Sequence, residues 1–207
     1  MRISNSYYTV EVEPRHGLIR RITDRPGGYE LIAEPRLAEN FRLLLPLPGM
    51  HANYIVGAEQ KLASLEKLRG GMKLRWAGPL TSERGAFDLD VTMWIELVGE
   101  AIRFRCQVEN RTGLRLAEVW YPVLGGMMGI GRPHGGQDRA RTVTLVPHGF
   151  TQWTRELFRE FGPGADFLGC QGLEHAFVYP GYMSMPWCSF YHRGLGRGFY
   201  FAAHDPV

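Results

Sequence analysis

Between residues 86 and 109 apolar and polar positions alternate almost without a break. Phe87, Leu89, Val91, Met93, Ile95 and Leu97 are interleaved with Asp88, Asp90, Thr92, Trp94 and Glu96. Successive side chains of a strand point to opposite faces, so this stretch carries one apolar face and one largely polar face. Gly99-Glu100 supplies a two-residue turn. Ile102, Phe104, Cys106 and Val108 then alternate with Arg103, Arg105, Gln107 and Glu109. The pattern predicts a long antiparallel hairpin, with Glu96 near Arg103 or Arg105 on the polar side.

The same period recurs along the chain. Residues 7–13 and 18–24 are predicted strands separated by the turn Pro14-Arg15-His16-Gly17, and Pro26-Gly27-Gly28 is a second turn. Short apolar segments follow at 29–33 and 41–45, then a loop at 46–51. Leu62, Leu65 and Leu68 recur at helical spacing, but Gly70-Gly71 followed by Met72–Trp76 favours a hairpin over 59–76. Strands are predicted at 116–124 and 142–146, and a closing hairpin is formed by Cys188–His192 with Gly198–Asp205, after an aromatic loop over Tyr179–Trp187. Thr151–Glu160, stopped by Gly162-Pro163-Gly164, is the one predicted helix. About a dozen strands with short turns imply an all-β fold of antiparallel sheets, a sandwich or an open pair of sheets.

Composition narrows the class. The chain has 207 residues, 44% hydrophobic and 22% charged, with a net charge of +3. That describes a globular chain of one large domain or two small ones, with acidic and basic residues interspersed rather than gathered into the basic face a nucleic acid requires. No apolar run reaches membrane-spanning length, and Met1–Asn5 runs into a strand pattern with no apolar signal region. No nucleic-acid or membrane partner is expected. Cys106, Cys170 and Cys188 form no C-x-x-C pair, which predicts reduced thiols and a cytoplasmic setting.

Candidate chemistry is sparse. The glycine run from Gly125 to Gly136 lacks the G-K-[ST] ending of a phosphate loop. The seven histidines show no zinc spacing, and no cofactor or metal is expected. Cys188 and His192 stand four apart on a predicted strand, about 13 Å by strand rise and too far to couple. Aromatic rings that could stack on sugars are more suggestive. Trp120, on a long strand, reads as a core residue. Tyr182 and Trp187, flanked by Pro180, Gly181 and Pro186, are candidates for a binding loop. His134, His148 and His204 fall at strand ends or in loops, where recognition residues collect.

The closing segment carries a resemblance. Tyr179-Pro180-Gly181, Ser184-Met185-Pro186-Trp187, Phe190-Tyr191 and Gly198-Phe199-Tyr200-Phe201-Ala202-Ala203-His204-Asp205-Pro206 resemble the end of a particular amino-terminal domain. That domain is the galactose mutarotase-like β-supersandwich of glycoside-hydrolase-like proteins. The opening Gly17–Ile22 segment, Val108–Thr112 and Val119–Pro122 resemble other parts of it. The resemblance implies a single β-supersandwich domain over 1–207, the amino-terminal part of a longer chain. Such a domain packs on a carboxy-terminal catalytic TIM barrel that bears the paired carboxylates. It further implies a carbohydrate partner, with His204, Asp205, Trp187, Tyr182 and His134 bordering the cleft. The His and Glu motifs of true mutarotases are not matched, so a stand-alone epimerase, or a purely structural module, are the alternatives.

Overall fold

The computed structural model describes residues 1–32, 35–49, 51–125, 142–147, 158–161, 185–192 and 194–204. Of these, 60% are strand and 4% helical, no helix reaches seven residues, and every strand pair is antiparallel. The expected all-β, sandwich-type architecture is present. Two compact units are formed, Met1–Met128 and Gly129–Val207.

In the first unit, β1 (Arg2–Ser4), β2 (Tyr8–Val12), β3 (Ile19–Asp24) and β4 (Tyr29–Ile32) form a meander in that order. A three-stranded sheet has β5 (Asn40–Leu44) between β6 (Tyr54–Val56) and β13 (Glu118–Val123). The largest ladder places β12 (Ala101–Asn110), β11 (Leu89–Val98), β8 (Gly71–Trp76) and β7 (Ser64–Leu68) side by side. A small hairpin joins β9 (Leu80–Ser82) to β10 (Gly85–Phe87). The hairpin reading of 59–76 therefore holds: the glycine turn outweighs the leucine spacing, because β8 pairs with β11 as well as β7.

The predicted 86–109 hairpin is present as β11–β12, with Leu89 opposite Asn110 and Val98 opposite Ala101; its first residues, Ala86 and Phe87, belong instead to β10 and pair with β9. Val91, Met93 and Ile95 are fully buried, as the alternation requires. On the polar face Arg103 lies directly opposite Glu96, yet the ion pair is made by the diagonal Arg105 at 3.1 Å. Arg105 also lies over the Trp94 ring, 5.1 Å from its centroid, and Lys73 approaches that ring at 6.0 Å.

Three sheets of this unit converge on Trp76. Its ring meets Phe41 of β5 edge-on at 5.0 Å, and its indole N–H donates to the His16 carbonyl at 3.0 Å. Gly17, in the β2–β3 turn, comes so close that an added Cβ would lie 2.8 Å from the Trp76 ring. Its φ of +76° also suits glycine best. Glu13 pins that turn by accepting the backbone N–H groups of Arg15 (2.9 Å) and His16. Asn40, fully buried at φ +64°, accepts the Ile19 N–H and donates to the Gly17 carbonyl. Polar side chains thus satisfy backbone groups that the turn leaves without ladder partners.

β13 pairs, among the described strands, with β5 alone. Its register shifts between Trp120 and Val123, where Pro122 interrupts the ladder. Val119, Trp120 and Tyr121 are all exposed.

In the second unit β15 (Phe158–Phe161), β14 (Thr142–Pro147), β16 (Trp187–His192) and β17 (Arg197–Ala202) form one sheet in that order. The helix expected over Thr151–Glu160 is corrected at its end: residues 158–160 are strand, paired to β14. Phe158 and Phe161 bracket Arg159 and Glu160, and ladder pairing with β14 overrides a weak local preference.

Candidate functional site

The closing hairpin carries the predicted site residues that are described. Trp187 faces Ala202 and Ser189 faces Tyr200, so these four share one face of β16–β17. The rings of Trp187 and Tyr200 meet at 5.5 Å with a 37° tilt, and Tyr200 remains 62% exposed. Cys188, Phe190, Phe199 and Phe201 occupy the opposite face, where Phe190 and Phe201 pack edge-on at 5.7 Å. The Ala203 N–H donates to the Pro186 carbonyl at 2.9 Å, which brings exposed His204 to the same end of the hairpin as Trp187. Tyr182, His134 and Asp205 lie outside the described residues, as do His148 and Trp153.

Tyr200 was not singled out by sequence reasoning. The signal was available: it is two residues from Ala202, on the strand that pairs with the one bearing Trp187. Ring neighbours in a sheet are fixed by register, and register is weakly readable when both strands carry aromatic rings on both faces.

A second arrangement lies on the outer face of the β13–β5–β6 sheet. The expectation that Trp120 is a core residue is corrected here, since it is 45% exposed. Its strand is an edge, and the buried face of this sheet is supplied instead by Phe41, Leu43 and Ile55, all fully inaccessible. Register places Trp120 opposite Arg42, and Glu118 and Tyr54 opposite Leu44. Arg42 sits between two rings, 5.4 Å from the Trp120 centroid and 5.9 Å from that of Tyr54. Glu39 grips the guanidinium through two bonds, at 2.8 and 2.5 Å, and the Trp120 indole N–H donates to Glu118 at 2.8 Å.

The strongest electrostatic cluster is centred on Asp90, 7% exposed. It accepts the Gly78 N–H at 2.8 Å, Arg75 at 2.6 Å and Arg111 at 2.9 Å. The Gly78 N–H and the two guanidiniums outweigh burial and hold its carboxyl down at about 2. Arg111 also engages Asp88 and Glu109, at 3.0 and 3.1 Å. A carboxylate so clasped is a poor proton donor at neutral pH.

Nucleophiles fare no better. Burial pushes the Cys106 thiol up to about 12 and raises that of Cys188, so neither is activated. Cys106 and Cys188 are free, half-buried thiols. Among the described residues no group of three His, Cys, Asp or Glu could hold a metal ion, and no helix is long and apolar enough to cross a membrane. No protein-family model matches the chain, and no curated protein matches it.

Proposed function

We propose that this chain is a carbohydrate-associated β-sandwich domain of the galactose mutarotase-like kind. In this reading it serves a glycoside hydrolase by packing on, and edging the cleft of, a catalytic barrel outside these 207 residues. The observation that carries the reading is the Trp187–Tyr200 ring pair, half-buried at Trp187 and exposed at Tyr200, with His204 at the same hairpin end. Pyranose rings present C–H faces that pack on aromatic rings, while imidazole and hydroxyl groups satisfy sugar hydroxyls. A recognition role without catalysis fits the state of the acids. Glycoside hydrolysis needs one carboxyl kept protonated beside one ionised. Asp88 and Asp90 instead share the Arg111 guanidinium.

The test is calorimetric titration of the full chain with cellohexaose, maltohexaose, xylohexaose and mannohexaose. At least one is expected to bind, and Trp187→Ala and Tyr200→Ala each to weaken it about tenfold, the equivalent of ~1.4 kcal/mol. Unaltered binding in both variants would remove the platform. Anomer interconversion by the chain alone, lost in His204→Ala, would establish an epimerase instead.

A further inference from the structure

The outer face of the β13–β5–β6 sheet holds aromatic rings in a second, separate arrangement. Trp120 and Arg42 occupy one row across the strands, and Glu118, Leu44 and Tyr54 the next. Trp120 and Tyr54 are therefore diagonal to each other across the central strand, their backbones roughly 12 Å apart from strand spacing and rise, with both rings turned in toward Arg42. Both rings stay open, at 45% and 43% exposure.

The Trp94 site, on the β12–β11–β8–β7 sheet, is the informative contrast. There one ring is flanked by two cations, Lys73 and Arg105, and is only half-exposed. That arrangement spends an aromatic ring on covering charge. At Arg42 the ratio is inverted: two rings share one cation, and Glu39 already holds that cation by two bonds. The guanidinium fixes the positions of the rings without closing them off. Glu118 is likewise oriented by the Trp120 indole through a single carboxylate oxygen.

We infer that Trp120, Tyr54, Arg42, Glu39 and Glu118 form a subsite for a neutral oligosaccharide, long enough to reach from one ring to the other. Two carboxylates stand against one guanidinium, so a uronic acid or sulfated sugar would be repelled. Ionised carboxylates accept hydroxyl protons, and open rings accept C–H faces, which is what a neutral pyranose offers. Rings on either side of one guanidinium, 5.4 and 5.9 Å from it, are set apart by more than one pyranose covers, so affinity should rise with chain length up to their span and then level off.

This inference rests on the carbohydrate reading above, and the experiment separates the two. The full chain is labelled with 5-fluorotryptophan, and the Trp120 and Trp187 resonances are assigned from Trp120→Phe and Trp187→Phe. The labelled protein is titrated with cellohexaose, maltohexaose, xylohexaose and mannohexaose, and with the disaccharide of whichever one binds. The expected result is a saturable shift of the Trp120 resonance, at least tenfold weaker for the disaccharide. Tyr54→Ala and Glu118→Gln should each weaken the Trp120 curve several-fold and leave the Trp187 curve in place. A Trp187 shift with a static Trp120 overturns the subsite and leaves the domain-level reading standing. If neither resonance moves with any of the sugars, both fail.

Discussion

Asp90→Ala removes the one carboxylate that joins two arginines to a backbone turn. Part of the cost follows from its ionisation. A carboxyl lowered from 3.8 to about 2 corresponds to at most about 2 kcal/mol of native stability at neutral pH. Arg75 and Arg111 are 47% and 45% exposed, so solvent screens the pairs and about 1 kcal/mol is the working figure. The half-buried Gly78 N–H, the largest contributor to that lowering, is also left without its acceptor, which brings the expected total to about 2 kcal/mol. Hydrogen exchange in urea, followed by mass spectrometry over 71–98, reads this locally on β8 and β11. Arg75→Met in a double-mutant cycle should recover a coupling of about 1 kcal/mol. Stability from a depressed carboxyl is complete above its unfolded value and fades as pH falls toward the folded one. The gap between wild type and Asp90→Asn should thus hold from pH 7 to about 5 and close near pH 2. A loss below about 0.5 kcal/mol, or strict additivity with Arg75→Met, would refute the reasoning.

Other outcomes are equally direct. Gly17→Ala should cost about 2–4 kcal/mol in thermal unfolding, since the new Cβ meets Trp76 at 2.8 Å in a left-handed backbone; an unchanged melting temperature would contradict that packing. Asn40→Gly keeps the backbone conformation but removes two buried hydrogen bonds, and should cost about 1–3 kcal/mol by urea titration. Cys106 should resist iodoacetamide at pH 8 in the native chain and react readily in urea, read by peptide mass spectrometry. Rapid native alkylation would show that its thiol is not held in the half-buried site described.

Strand content was legible where one face is buried and the other wet. The 86–109 stretch satisfies that condition, and its register and turn match the alternation. Trp120 breaks it: on β13 both faces are exposed from Glu118 to Tyr121, so alternation no longer reports burial, and a large ring read as core proves to be surface. Residues 158–160 were misread for a related reason. A four-residue strand is too short to show its period, and only the ladder with β14 decides it. Among the candidate site residues, Trp187 was read as part of a loop and is instead the first residue of β16, while His204 lies just past β17 at the hairpin end where it was expected. Tyr200, Arg42 and Tyr54 become neighbours of the other site groups only through pairing across strands, which no local pattern encodes.

Pro122 has a consequence for solubility in the crowded cell. Among the described strands β13 is an edge, and it bears exposed Val119, Trp120 and Tyr121; edges with apolar side chains are where chains recruit copies of themselves into fibrils. Proline breaks the regular ladder, and the shifted register beyond Trp120 spoils the flat edge such growth requires. Pro122 therefore acts as a gatekeeper: it lets the chain display adhesive rings at a sheet margin while denying that margin to another strand. Pro122→Val would remove that break, and thioflavin-positive aggregation is where its cost would surface.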